Sequence, residues 1–184
     1  MNCVTLGEIV EIKGGGTPDK SVEQYWNGSI PWASVKDFKS TELSETSDYI
    51  SELGLQNSAS NLIPAGTIIV PTRMAVGKAA INTIDLAINQ DLKALFPKQN
   101  VFIRYLLHVL LANSIKLERQ ASGATVKGIT LDVLRSLEIP LPPLDEQKRI
   151  AAILDQADAL RKARRRAIER LNDLSQSIFY EMFG

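Results

Sequence analysis

Apolar and polar positions change their spacing twice along this chain. Through residue 99 the apolar residues come in short, often β-branched runs bounded by Gly, Pro, Asn and Asp. This predicts strands over residues 8–13 and 29–33 with a Gly/Pro-rich loop between them. Residues 40–60 are polar and Ser/Thr-rich and predict a loop with a short helix near 50–56. A turn at Pro64-Ala65-Gly66 precedes strands over 67–71 and 78–83, and a third near 92–96 is closed by Pro97.

At Asn100, a good helix N-cap, the period becomes helical. Residues 101–119 carry apolar side chains around most of a helix. Arg104, His108, Ala112 and Lys116 leave one narrow polar or small-residue stripe, so the helix is expected to be mostly buried. A Gly-punctuated loop at 122–128, a helical turn near 131–134 and a last strand at 137–141 follow.

Pro140, Pro142 and Pro143 then mark a boundary. A helix starting near 143–145, with Asp145 and Glu146 at its positive end, can run to about residue 181 without Gly or Pro. Its length is on the order of 55–60 Å. The fold class expected is α+β: a mixed α/β domain over 1–142 and a long helix over 143–184.

The spacing on that helix is a heptad. With Ile150 as a, the a positions are Ile150, Ala157, Arg164, Leu171 and Ile178; the d positions are Ile153, Leu160, Ala167, Leu174 and Glu181. Leu154 and Ile168 broaden the seam. One small domain cannot cover so long a stripe, so a second helix is expected to pair with it; the other reading is that the helix folds back on its own domain. Ala157 and Ala167 imply close approach, and Arg164 fits the seam poorly.

Composition adds limits. The 184 residues are 45% hydrophobic and 23% charged, values of an ordinary globular protein. Cys3 is alone, which rules out an internal disulfide and suits a reducing compartment. No signal-peptide pattern opens the chain, and the apolar stretch at 101–112 is short and interrupted by Arg104 and His108. A cytoplasmic protein with no membrane partner is the expectation. Net charge is zero, so nucleic-acid binding would rest on local basic loops or on a partner.

Candidate chemistry is sparse. Gly14-Gly15-Gly16-Thr17-Pro18 lacks the Walker A and dinucleotide spacings. It is either a tight bend or a loop that lets backbone approach a phosphate. Asp91-Leu92-Lys93 has a nuclease-like D-x-K form, but Asp85 stands too near to serve as its acidic companion on a neighbouring strand. With one Cys and one His, neither a metal cluster nor a His-based triad can be assembled. His108 reads as a surface or interdomain polar group. Arg161-Lys162-Ala163-Arg164-Arg165-Arg166 is a solvated helix face, salt-bridged to Asp158 and Glu169, or a surface for phosphate or an acidic partner.

Five segments, in order, resemble one family, the specificity (S) subunits of type I restriction–modification enzymes. They are Gly15-Gly16-Thr17-Pro18; Ile30-Pro31-Trp32; Gly66-Thr67-Ile68-Ile69-Val70 leading to Arg73 and Gly77-Lys78; Ile88-Asn89-Gln90; and Ile139-Pro140-Leu141-Pro142-Pro143-Leu144 with Glu146-Gln147-Lys148-Arg149-Ile150. The resemblance implies a non-catalytic target recognition domain that reads half of a split DNA site. It also implies an antiparallel helix pair that sets the gap. The implied partners are double-stranded DNA, modification subunits carrying S-adenosylmethionine, and restriction subunits using ATP; this chain would hold no cofactor.

The chain departs from the family in having one domain and one helix, and its end at Phe179-Tyr180-Glu181-Met182-Phe183-Gly184 reads as a natural terminus. A half-length subunit acting as a homodimer is therefore expected, with partnership to another S chain as the alternative. Candidate DNA contacts near the family-like loops are Thr17, Lys20, Ser34, Lys36, Lys39, Arg73, Lys78, Asn89, Gln90, Lys93 and Lys127. Trp32 is read as core in preference to a stacking platform. The competing functions are an assembly or regulatory partner of methyltransferase subunits that reads no DNA, and a small nuclease.

Overall fold

The computed structural model describes residues 3–123 and 125–183, with backbone alone at 175 and 176. The chain opens with β1 (Cys3–Thr5) and a helical turn, α1 (Leu6–Ile9), before β2 (Val10–Gly14). The strand expected from residue 8 thus begins two residues later. Its cause is a capping box, in which the Thr5 backbone N–H donates to the Glu8 carboxylate at 2.6 Å. Hydrogen bonds from the Thr5 backbone and side chain hold the Glu8 carboxyl below its ordinary range.

β3 (Trp26–Ala33) extends the predicted strand toward the N-terminus. The region expected as a loop holds α2 (Glu52–Gln56), as anticipated, and also the short strands β4 (Glu42–Leu43) and β5 (Asp48–Ile50). Next come β6 (Leu62–Ile63), β7 (Ile68–Pro71), β8 (Ala80–Asn82), β9 (Leu86–Ile88) and β10 (Leu92–Pro97). They form a five-stranded sheet, ordered β2-β10-β7-β8-β4, and a four-stranded sheet, ordered β5-β3-β9-β6.

Why β7 is apolar without a break follows from where it lies. Ile68 and Val70 face a core shared with α1 and the helices that follow, while Ile69 faces a second core between the sheets. β10 divides likewise, Leu95 to one core and Leu92 and Ala94 to the other. A smaller cluster of Ile30, Trp32, Ile50 and Ala87 lies beneath β3.

The single helix expected over 101–119 is two: α3 (Ile103–Ala112) and α4 (Ser114–Gln120). Asn113 interrupts them, its side-chain amide donating back to the Val109 carbonyl at 2.9 Å. Asn100 is not the cap. It sits at φ 69°, and the cap position belongs to Phe102. α3 buries Tyr105, Leu106, Leu107 and Leu110, as its apolar pattern requires. Of the loop at 122–128, position 124 lies outside the described residues; Ser122 and Gly128 exchange backbone hydrogen bonds.

α5 (Leu131–Arg135) leads to β11 (Glu138–Pro140), which pairs antiparallel with β1. The long helix α6 (Leu144–Phe183) follows the prolines. Its first turns pack on α3, where Gln147 and Ala151 are buried, and beyond Ala159 every described residue is exposed. Among the described residues no helix is long and apolar enough to cross a membrane.

Candidate nucleic-acid interface

The glycine loop is a bend that packing makes obligatory. A Cβ on Gly15 would stand 1.9 Å from the Ile88 carbonyl oxygen, and one on Gly16 would stand 2.6 Å from the Ala59 carbonyl carbon. The Gly16 N–H donates to Ile88 O at 3.0 Å. The Gly16 carbonyl receives the Trp32 indole N–H at 3.1 Å and the Ser60 hydroxyl at 2.6 Å. Trp32 is core: it is 5% exposed and meets Trp26 edge to face at 5.2 Å.

The same knot gathers the other short segments. The Thr17 hydroxyl is hydrogen-bonded to the Gln90 side chain. Asp91 is buried; its carboxylate takes Arg73 Nη1 at 3.5 Å and its carbonyl takes the Thr72 N–H at 2.8 Å. Asp91 N–H in turn donates to Asn89 Oδ1 at 3.1 Å. Asn89, expected at a DNA surface, is buried, and its placement makes it a brace for this turn. Asp85 has a separate task, accepting the Ala65 N–H at 2.8 Å.

Candidate DNA contacts therefore fall into three groups. Thr17, Arg73, Gln90 and Lys93 ring the knot, and Lys127 joins them because its carbonyl accepts the Met74 N–H at 3.0 Å. Lys93 is half-buried and donates to the Gln90 and Leu92 carbonyls; burial pushes its ammonium below the usual lysine range, with nearby Asp91 opposing. Lys20 shares a hollow with Trp26, Trp32 and Asp48, and Lys36 pairs with Asp48 at 2.6 Å. Ser34 lies beside them, but its N–H and hydroxyl are engaged by Asp37 in a local capping box.

Lys39 and Lys78 form the third group, Lys39 in a trough between the domain and α6 and Lys78 in an adjoining hollow against Ser114 and Glu118 of α4. Thr41 and Leu111 lie along the floor of the trough, and Arg161, Lys162, Arg165 and Arg166 rim it from the helix. Lys78 Nζ donates to the Phe38 carbonyl at 3.1 Å. Lys39 meets Glu45 at 3.4 Å with both side chains largely in solvent, a pair of little energetic weight.

Two features of the helix joint escaped sequence reasoning. Gln147 reaches across to the residues before α3. Asp155 binds Arg104 through both carboxylate oxygens, at 2.6 and 2.9 Å, and receives His108 Nε2 at 2.8 Å. The Arg104 hydrogen bonds, assisted by His108, hold the Asp155 carboxyl below its ordinary range against the opposing effect of burial. The polar stripe of Arg104 and His108 is thus the surface on which α6 is seated.

The seam faces elsewhere. Gln147, Ala151, Asp155, Asp158 and Lys162 occupy the face of α6 turned to the domain, whereas Ile153, Leu160 and Leu174 are 53, 72 and 55% exposed. Ile168 and Ile178 are about half exposed, Leu154 less, Ile150 is partly covered, and Ala157 and Ala167 are open. Arg161 pairs with Asp158 at 3.0 Å, as expected of the basic run.

Comparison with known proteins agrees with this geometry over nearly the whole chain. Residues 1–170 match the model of the type I restriction modification DNA specificity domain. The specificity subunit of the Escherichia coli type I restriction enzyme EcoR124I/EcoR124II is 37% identical over 179 residues, 94% of this chain and 44% of that subunit. The MjaIX specificity subunit of Methanocaldococcus jannaschii is 29% identical over 97% of this chain and 42% of its own length. Among solved structures, the HsdS subunit from Thermoanaerobacter tengcongensis superimposes with a TM-score of 0.72 at 27% identity, over 90% of this chain and 39% of that one. A chain from a type I R-M system, described for its complex assembly and conformational transition, gives 0.76 at 28% identity over 98% and 45%. The chain spans less than half the length of the curated relatives it matches.

Proposed function

Since the chain belongs to the family of type I restriction–modification DNA specificity domains, we propose that it is a sequence-specific DNA reader. It recognises one half of a bipartite target and docks modification and restriction subunits. The observation that carries this reading is the arrangement around the Gly16–Trp32–Asp91 knot. Main-chain bonds and buried side chains fix the frame, and Thr17, Gln90, Arg73, Lys93 and Lys127 are grouped at its edge. Hydroxyl, amide and guanidinium groups are the donors and acceptors that base edges and phosphates require.

The chain makes no bond itself in this reading. S-adenosylmethionine belongs to the modification subunit and ATP to the restriction subunit. Domain and spacer helix divide at residues 142 and 143, and the assembly works in the cytoplasm.

Two copies pair antiparallel through the α6 seam and present two identical readers. Support comes from the exposed apolar row on the helix face turned away from the domain. Two-fold related readers specify an interrupted palindrome. Half-sites one helical turn apart lie roughly 34–36 Å centre to centre, and a helix of 40 residues, about 60 Å, spans more than that.

The test is to co-express the chain with its modification subunit and map adenine methylation. A single interrupted palindrome is the expected result. An asymmetric target sinks the self-paired form and leaves partnership with another S chain. Methylation independent of this chain leaves only an assembly or regulatory role.

A further inference from the structure

DNA reading by the domain and pairing through the seam leave the basic run in the middle of α6 without a task. Arg161 contacts Asp158, but Lys162, Arg165 and Arg166 carry no ion pair among the described residues. Charge along the helix is mixed on either side of the run. Asp145, Glu146, Asp155 and Asp158 precede it with Lys148 and Arg149 among them, and Glu169, Asp173 and Glu181 follow it with Arg170, so the run is the one uninterrupted basic stretch.

Antiparallel pairing brings that middle onto itself. One register places Ile150 opposite the partner's Leu174, Ile153 opposite the partner's Leu171, and Ala157 opposite the partner's Ala167. It also sets Leu160 opposite the partner's Arg164, whose long side chain can carry its guanidinium out to the flank. Leu154 then meets the partner's Ile168 at the flank. A shift of one heptad sets Ile150 against the partner's Glu181, which buries a carboxylate on an apolar side chain. In both registers the two-fold axis falls within the basic run.

We propose that self-pairing creates, at that axis, one composite phosphate-binding site from Arg161, Lys162 and Arg165 of each copy, and that it holds the sugar–phosphate backbone of the unread DNA spacer. The site is incomplete without the second copy, and it rests on the reading of the chain as a self-pairing DNA reader.

Three observations favour DNA over an acidic protein. The i and i+4 spacing puts Arg161 and Arg165 on one face, running from the flank of the seam toward the domain side where Lys162 lies, and all three are exposed. The facing wall of the trough contributes Lys39 and the Thr41 hydroxyl beside Arg161, Lys162 and Arg165, with Asp158 at its edge. The axis is also equidistant from the two readers, where the spacer must pass. Like charges gathered within a Debye length, roughly 10 Å, oppose pairing until an anion or salt compensates them. Dimerisation and DNA binding are therefore linked through this site.

The experiment compares the full chain with the variant Arg161→Gln/Lys162→Gln/Arg165→Gln. Sedimentation equilibrium is expected to show wild-type dimers tightening as salt rises from about 50 to 500 mM, and variant dimers already tight at low salt. Binding to a random-sequence duplex of about 30 base pairs is then followed over a salt series. The slope of log affinity against log salt is expected to fall by about 2 to 5, at about 0.9 for each phosphate that the variant no longer neutralises.

An unchanged slope in a variant that still dimerises overturns the phosphate site alone. If the variant keeps that slope but no longer retains the modification subunit, the strip docks protein and the proposal is wrong. Wild-type chain that stays monomeric, or binds no duplex at low salt, overturns the underlying reading as well.

Discussion

Gln147 accepts the backbone N–H of Phe102 at 2.8 Å, forty-five positions away in sequence, and donates to the Asn100 carbonyl at 2.9 Å and the Pro142 carbonyl at 2.8 Å. One buried carboxamide thus ties the start of α6 to the entry of α3 and to its own proline lead-in. Gln147→Leu removes all three bonds and strands the groups that made them. Unfolding free energy should fall by about 3 kcal/mol in urea titrations. A loss under about 1 kcal/mol would mean that apolar packing alone seats the helix.

Asp155 makes the same joint sensitive to acid. Its folded-state carboxyl is held below the ordinary aspartate range, first by the Arg104 hydrogen bonds. A depressed carboxyl contributes stability above its unfolded pKa and loses it as pH falls through the folded one. Asp155→Asn should therefore cost about 1 kcal/mol near neutrality, since the site is partly exposed. The difference between variant and wild type should shrink as pH falls through the depressed folded-state pKa and vanish once the carboxyl is protonated in both folded and unfolded chains. Stability curves measured at several pH values check this, and a gap that persists in acid would contradict it.

The glycine knot predicts a contrast between two alanine substitutions. Gly15→Ala drives a methyl group into the Ile88 carbonyl and should lower stability by about 3 kcal/mol or prevent folding. Gly66→Ala meets nothing within 4 Å, but its φ of +84° suits glycine, so about 1 kcal/mol is expected. Equal effects at the two positions would remove the packing explanation.

Pairing through the seam can be tested without disturbing the domain. Leu160→Glu combined with Leu174→Glu should turn dimers into monomers in sedimentation runs. The concentration-dependent part of thermal stability should vanish with them, while the unfolding of the dilute protomer stays within about 0.5 kcal/mol. A variant that still dimerises would move the interface off this face.

Long local patterns were legible in the sequence and short distant ones were not. The heptad on α6 and the apolar run of β7 repeat often enough to be recognised. β4 and β6 are two residues each, and β4 and β9 are held by parallel partners far along the chain, which period cannot reveal. The candidate site divides in the same way. The five family-like segments stand out in the sequence, but most of their distinctive residues close the frame: Gly15, Gly16, Trp32, Asn89 and Gln147 are all engaged in packing or backbone bonds. The Arg104–Asp155 pair spans fifty-one positions, and no local signal marks it.

The way α6 leaves the domain has a kinetic consequence. Its first turns borrow stability from Gln147, Ala151 and Asp155, but past Ala159 every described residue is exposed and the helix rests on its own backbone and local side-chain contacts. A helix whose apolar face is unpacked lacks the tertiary contacts that supply most helical stability in proteins. Amides near Arg161 and beyond should then exchange with deuterium far faster than those near Ala151 until a second helix arrives. In the self-paired form proposed above, the distance between readers is not stored in one chain; it comes into being at association, so the measuring device and the thing that assembles it are the same event.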